Sequence, residues 1–89
     1  MRISHYTRQF KKDLKLVQRR GKDIDTLKKV IASLVEERPL LERYKDHPLR
    51  GGFENYRECH LEPDWLLIYK LEGNVVYFVR TGTHSDLFD

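Results

Sequence analysis

The hydrophobic positions of this chain change period partway along it. Phe10, Leu14 and Val17 recur at helical spacing, with Thr7 placed as an N-cap and Gly21 following a basic last turn at Arg19-Arg20. This pattern predicts an amphipathic helix over residues 8–20. Leu27, Val30, Ile31, Leu34 and Val35 form a second stripe of the same period. Asp23 or Asp25 is its candidate cap, and Pro39 marks its end. The link at Gly21-Lys22 is short, so the two helices should form an antiparallel hairpin. Residues 39–52 carry Pro39, Pro48, Gly51 and Gly52 and read as a connecting loop. Beyond them the period falls to two.

Three strands are predicted, over roughly 54–61, 65–71 and 75–80. In the first, Tyr56, Glu58 and His60 alternate against Arg57, Cys59 and Leu61. The second, Trp65-Leu66-Leu67-Ile68-Tyr69, is apolar on both faces, as a central strand must be. Glu72-Gly73-Asn74 supplies the turn into Val75-Val76-Tyr77-Phe78-Val79. A short alternating stretch, Arg2 to Tyr6, reads as a weak first strand. The expected fold is α+β, in the order β-α-α-β-β-β with a short C-terminal tail. Strands joined by tight turns pair antiparallel. The helical hairpin covers one sheet face and leaves the other open for a site.

Composition narrows the classes. The 89 residues suit one domain, 1–89, with a thin core and no room for a separate cofactor domain. No apolar run is long enough to span a membrane and no secretory leader is expected. The lone Cys59 excludes an intrachain disulfide and fits a reducing cytoplasm. The net charge of +3 is unevenly spread. Residues 1–38 hold 11 Lys/Arg against 5 Asp/Glu, a net +6, and residues 39–89 hold 6 against 9, a net −3. The basic half suits a polyanion, or an acidic partner peptide, or simply a solvated helix face.

Three of the four histidines, His47, His60 and His84, fall in the last 43 residues. Imidazole both donates and accepts protons near neutral pH. RNA cleavage needs only a base for the 2′-hydroxyl, an acid for the leaving 5′-oxygen and positive charge near the phosphorane. Asp64, after Pro63, is either a turn former or the carboxylate that orients an imidazole. Lys45, Arg50, Arg57 and Arg80 are phosphate-binding candidates, with surface ion pairs as the competing role. Trp65 and Phe88 are candidates to stack on unpaired bases, or else core residues. A metal site is not expected. There is no Cys-x-x-Cys, no histidine pair at helical spacing, and Cys59 and His60 should point to opposite faces.

The segments Tyr44-Lys45-Asp46-His47-Pro48-Leu49, Tyr56-Arg57 with His60, Glu62-Pro63-Asp64-Trp65, Leu67-Ile68-Tyr69-Lys70, Arg80-Thr81-Gly82-Thr83-His84 and Leu87-Phe88 carry a family resemblance. Together they resemble the YafQ branch of the RelE-type toxins, over essentially the whole chain. The resemblance implies a microbial-ribonuclease-like α+β fold and the toxin half of a bacterial type II toxin–antitoxin pair. It implies an endoribonuclease that cuts mRNA, usually in the ribosomal A site, without metal or other cofactor. A DinJ-like ribbon-helix-helix antitoxin would neutralise it, and the complex would repress its operon at operator DNA. The family's catalytic set falls on His47, His60, Asp64, His84 and Phe88, with Trp65 beside Asp64. His84 would protonate the leaving oxygen or hold the phosphate, His60 or His47 would take the 2′-proton, Asp64 would orient one of them, and Phe88 and Trp65 would hold bases. Gly51-Gly52-Phe53 and Asp89 depart from the family pattern and bear on codon preference. The competing function is a non-catalytic module that binds nucleic acid or antitoxin in transcriptional autoregulation.

Overall fold

The computed structural model describes residues 1–49 and 55–88. Arg50 and the Gly51-Gly52-Phe53 departure lie outside the described residues, as does Asp89. Strand β1 (Ile3–Tyr6) leads into helices α1 (Arg8–Arg19) and α2 (Ile24–Val35). A single 3-10 turn, Glu42–Tyr44, precedes β2 (His47–Pro48). Then come β3 (Tyr56–Glu62), β4 (Trp65–Glu72), β5 (Val75–Gly82) and a short helix α3 (His84–Phe88).

Local chemistry sets the helix ends. The Thr7 hydroxyl oxygen accepts from the Phe10 amide at 3.0 Å and donates to the Val79 carbonyl at 2.8 Å. One side chain therefore caps α1 and ties its start to β5. Such a cap is worth about 1 kcal/mol. Asp23 caps α2 by accepting from the Asp25 amide. Between the helices Gly21 takes φ +77°, the left-handed conformation that closes a helix without a Cβ penalty.

The five strands form one mixed sheet in the order β1-β5-β4-β3-β2. β2, β3, β4 and β5 pair antiparallel in turn, while β1 runs parallel to β5. The doubly apolar segment is indeed an inner strand, β4. Its Trp65, Leu67 and Tyr69 pack with Cys59, Leu61, Val76 and Phe78 against Phe10, Val17, Leu27, Val30 and Leu34 of the helices. Leu66 and Ile68 are buried as well but lie outside that cluster, beneath the opposite face. Asp13 of α1 is buried and accepts from the Arg80 guanidinium (2.8 and 3.1 Å), the Thr81 amide and Gln9.

Three features depart from the periodicity. β2 falls in the predicted loop, because a two-residue strand has no period to read. Pro48 sits there without cost, since an edge strand need not donate from every residue. The tail is a helix, α3. The parallel partner of β1 depends on long-range pairing that no local pattern encodes.

Candidate active site

β3 presents Glu58 and His60 on the face away from the main core, and its register carries that row outward. His47 pairs with Glu58, and Glu58 with Ile68. His60 pairs with Leu66, just before an extra residue in β3 displaces the register between His60 and Glu62. Such a bulge re-aims the neighbouring side chain. Gly82 also pairs with Leu66, so α3, which begins two residues later, starts beside the same row.

Four rings consequently stand in line. The centroids of His47 and His60 are 5.9 Å apart, those of His60 and His84 5.9 Å, and those of His84 and Phe88 6.4 Å. Asp64, from the tight β3–β4 turn, reaches His84 twice. Its Oδ1 lies 2.7 Å from the His84 ring Nδ1 and accepts the His84 backbone amide at 2.9 Å. These two hydrogen bonds, the backbone one first, hold the Asp64 carboxyl below its usual range. An ionised Asp64 needs a proton on Nδ1, which leaves Nε2 as the exchangeable position of His84.

Glu58, not among the candidates named from the sequence, stands between two of these rings. Its side chain is only 8% exposed, and Oε1 sits 3.2 Å from His60 Nε2 and 3.5 Å from His47 Nε2. A buried carboxylate needs such partners. The signal was present, since Glu58 alternates onto the same face as His60. The Nδ1 of His47 faces the Pro48 carbonyl at 3.0 Å, and a carbonyl only accepts, so that nitrogen carries the proton. The other nitrogen of His47 then points its lone pair or a second proton toward Glu58. The donor atoms of His47, Glu58 and His60 lie within 4.8 Å of one another, a set able to close on one divalent ion.

α3 is anchored from both ends of its first turn. The Thr83 hydroxyl accepts the Asp86 amide while the Asp86 carboxylate accepts the Thr83 amide, a reciprocal capping arrangement. Asp86 also takes two hydrogen bonds from Arg20 (2.6 and 3.2 Å), at the end of α1. Arg20, then the Thr83 amide, pull the Asp86 carboxyl down to about 2.

Not every candidate reaches this face. Trp65 is fully buried; its indole N–H donates to Thr81 Oγ1 at 2.9 Å, and that hydroxyl donates to the Leu66 carbonyl. It is a core residue and cannot stack on a base. Arg57 and Arg80 are not free phosphate ligands either. Arg57 is committed to Asp46 (3.3 and 3.1 Å) and Arg80 to Asp13, two hydrogen bonds each. Lys45 is exposed and lines, with Arg43, His60 and Glu62, a depression of about 320 Å³. Phe88 is half exposed at the end of the ring row.

Known proteins bear on this arrangement. The family model described as "Bacterial toxin of type II toxin-antitoxin system, YafQ" matches residues 2–89. The mRNA interferase toxin YafQ of Escherichia coli strain K12 is 50% identical over 84 residues, covering 93% of this chain and 91% of that protein. The toxin in the crystal structure of the E. coli DinJ–YafQ complex is 48% identical and superposes with a TM-score of 0.94 over the whole of both chains. A metal-bound toxin from Helicobacter pylori is 46% identical, with a TM-score of 0.93 over 99% of this chain and all of that one. Because the match runs through both helices, all five strands and α3 alike, the chain belongs to the YafQ family of type II toxin–antitoxin toxins.

Proposed function

We propose that residues 1–89 act as one domain, an endoribonuclease toxin that cuts mRNA in the ribosomal A site of the bacterial cytoplasm and so stops translation. A DinJ-like ribbon-helix-helix antitoxin neutralises it, and the pair binds operator DNA through the antitoxin. The observation that carries this is the row of three imidazoles, one set against Asp64 and two sharing Glu58.

In this mechanism His60 or His47 takes the proton of the 2′-hydroxyl as it attacks the adjacent phosphorus. Glu58 then stabilises the imidazolium, as a buried carboxylate does beside a catalytic histidine. His84, protonated at both nitrogens and backed by Asp64, gives a proton to the departing 5′-oxygen. The P–O5′ bond breaks, leaving a 2′,3′-cyclic phosphate and a 5′-hydroxyl. Phe88 stacks on a neighbouring base, and Lys45 faces a phosphate. An ion held by His47, Glu58 and His60 would occupy the lone pairs that the base needs.

The test is cleavage on programmed ribosomes. His84→Ala should lower the rate by about 10²–10⁴-fold, the usual worth of acid–base help, with the melting temperature unchanged. The wild-type rate should follow a bell-shaped pH profile, and the fragments should carry 2′,3′-cyclic phosphate ends. A fully active His84→Ala protein would defeat the assignment. Tight ribosome or antitoxin binding without any cleavage would favour the non-catalytic module.

A further inference from the structure

We infer that Asp46, gripped by Arg57 and Tyr69 on the helix-facing side of the sheet, is the positioning residue that holds His47 in the site. The effect on rate rests on one of the two alternatives proposed above, that His47 rather than His60 takes the 2′-proton.

Among the described residues, His47 has little else to hold it. It lies on a two-residue edge strand joined to β3 through the His47–Glu58 and Pro48–Arg57 pairs, with one further backbone bond from the Leu49 amide to the Tyr56 carbonyl. Its side chain is about half exposed, and its nearest polar partners are the carbonyl of its own neighbour and Glu58 at 3.5 Å. The chain reaches β2 through Lys45 in the left-handed conformation, φ +48°, an uncommon state for a residue with a long side chain. An arm of this kind would swing unless pinned.

Asp46 supplies the pin. Its carboxylate accepts from Tyr69 Oη at 2.6 Å and from Arg57 Nε and Nη2 at 3.3 and 3.1 Å. Tyr69 is almost fully buried in the rigid inner strand β4, so the anchor itself does not move with the edge. The register makes the grip specific. Adjacent strand residues point to opposite faces. Asp46 precedes His47, Arg57 precedes Glu58, and Tyr69 follows Ile68. His47, Glu58 and Ile68 form one lateral row on the site face, while Arg57 and Tyr69 pair on the other face. Each clamp residue thus stands directly beside a member of the row that carries His47 and Glu58. Displacing a reacting group by about 1 Å can cost 10²-fold in rate, so a clamp of this kind has leverage on the chemistry.

Tyr69→Phe, which removes one hydroxyl, and Asp46→Asn are the test variants. Steady-state and single-turnover cleavage are measured for each in the wild-type and His47→Ala backgrounds, alongside melting temperature and the His47 ring signals by NMR. The expected result is a loss of roughly tenfold in kcat with KM within about twofold. That loss should shrink to less than about twofold once His47 is absent. The His47 ring resonances should move, with those of His84 staying in place. Equal losses in both backgrounds would overturn the inference and make the clamp a part of general stability. An unmoved His47 ring would overturn it too, whatever the kinetics. A His47→Ala protein with full activity and a shifted His47 ring in Tyr69→Phe would instead separate the two ideas. The clamp would position His47, and the proposed proton-carrying role would fail.

Discussion

At the scale of the residue, chemistry follows exposure rather than residue type. Trp65 and Phe88 are both large aromatic residues near Asp64 and His84 in sequence, yet one is sealed in the core and the other half exposed beside the His84 imidazole. They should respond oppositely to substitution. Trp65→Phe removes the indole donor from Thr81 and leaves a small void, so thermal unfolding should fall by an amount on the order of 1–3 kcal/mol while the rate per folded molecule stays within about twofold. Phe88→Ala should leave unfolding unchanged and lower kcat/KM by a stacking contribution of about 1–3 kcal/mol. Equal effects of the two on stability would contradict this division. His47, His60 and His84 could be singled out from the sequence because imidazoles are few and chemically distinctive, whereas Asp64 read equally as a turn former and joined them through the family resemblance. The partners of Arg57 and Arg80 could not, because Asp46 and Asp13 lie 11 and 67 positions away.

At the scale of the element, the Asp86 carboxylate ties the first turn of α3 to Thr83 and to Arg20 of the helical half. A Cβ on Gly82 would stand 2.9 Å from Asp86 Oδ2, and that carboxylate is already held by Arg20 and Thr83. Gly82→Ala should therefore push α3, and His84 with it, away from Asp64, lowering activity more than stability. The same carboxylate gives an acid signature. Asp86 titrates at about 2 in the fold, below the roughly 3.9 of an unfolded aspartate. Its stabilising contribution is complete above the unfolded value and disappears as pH falls from about 4 through about 2. Melting curves across that window should drop for the wild-type protein and drop less steeply for Asp86→Asn. Parallel curves would mean that Asp86 does not anchor the helix. A five-residue segment is too short for a hydrophobic stripe, so from the sequence it reads as a tail. The long helices and inner strands are legible because each exposes several turns of one period.

At the scale of the whole molecule, charge and chemistry are segregated. The net +6 of residues 1–38 sits mostly on and around the two helices, and the imidazole row comes from the net-negative half. Attraction to a polyanion as large as the ribosome should then arise in the first half and bond breaking in the second. Raising ionic strength should lower kcat/KM steeply through weaker association, with little change in the single-turnover rate at saturation. A saturated rate that falls just as steeply would place the important cations inside the site instead. Among the described residues no helix is long and apolar enough to cross a membrane.

Local sequence was sufficient to set the helices, the antiparallel β3-β4-β5 meander, the central place of β4 and the residue types of the site, because each of these depends on periodicity, turn chemistry or side-chain identity within a short window. The five-stranded order, the parallel β1, the edge strand bearing His47, the burial of Trp65 and the insertion of Glu58 between two histidines were decided only when the chain closed on itself. Those features arise from pairing between segments far apart in sequence, where packing and hydrogen-bond satisfaction, rather than any local preference, choose which groups meet.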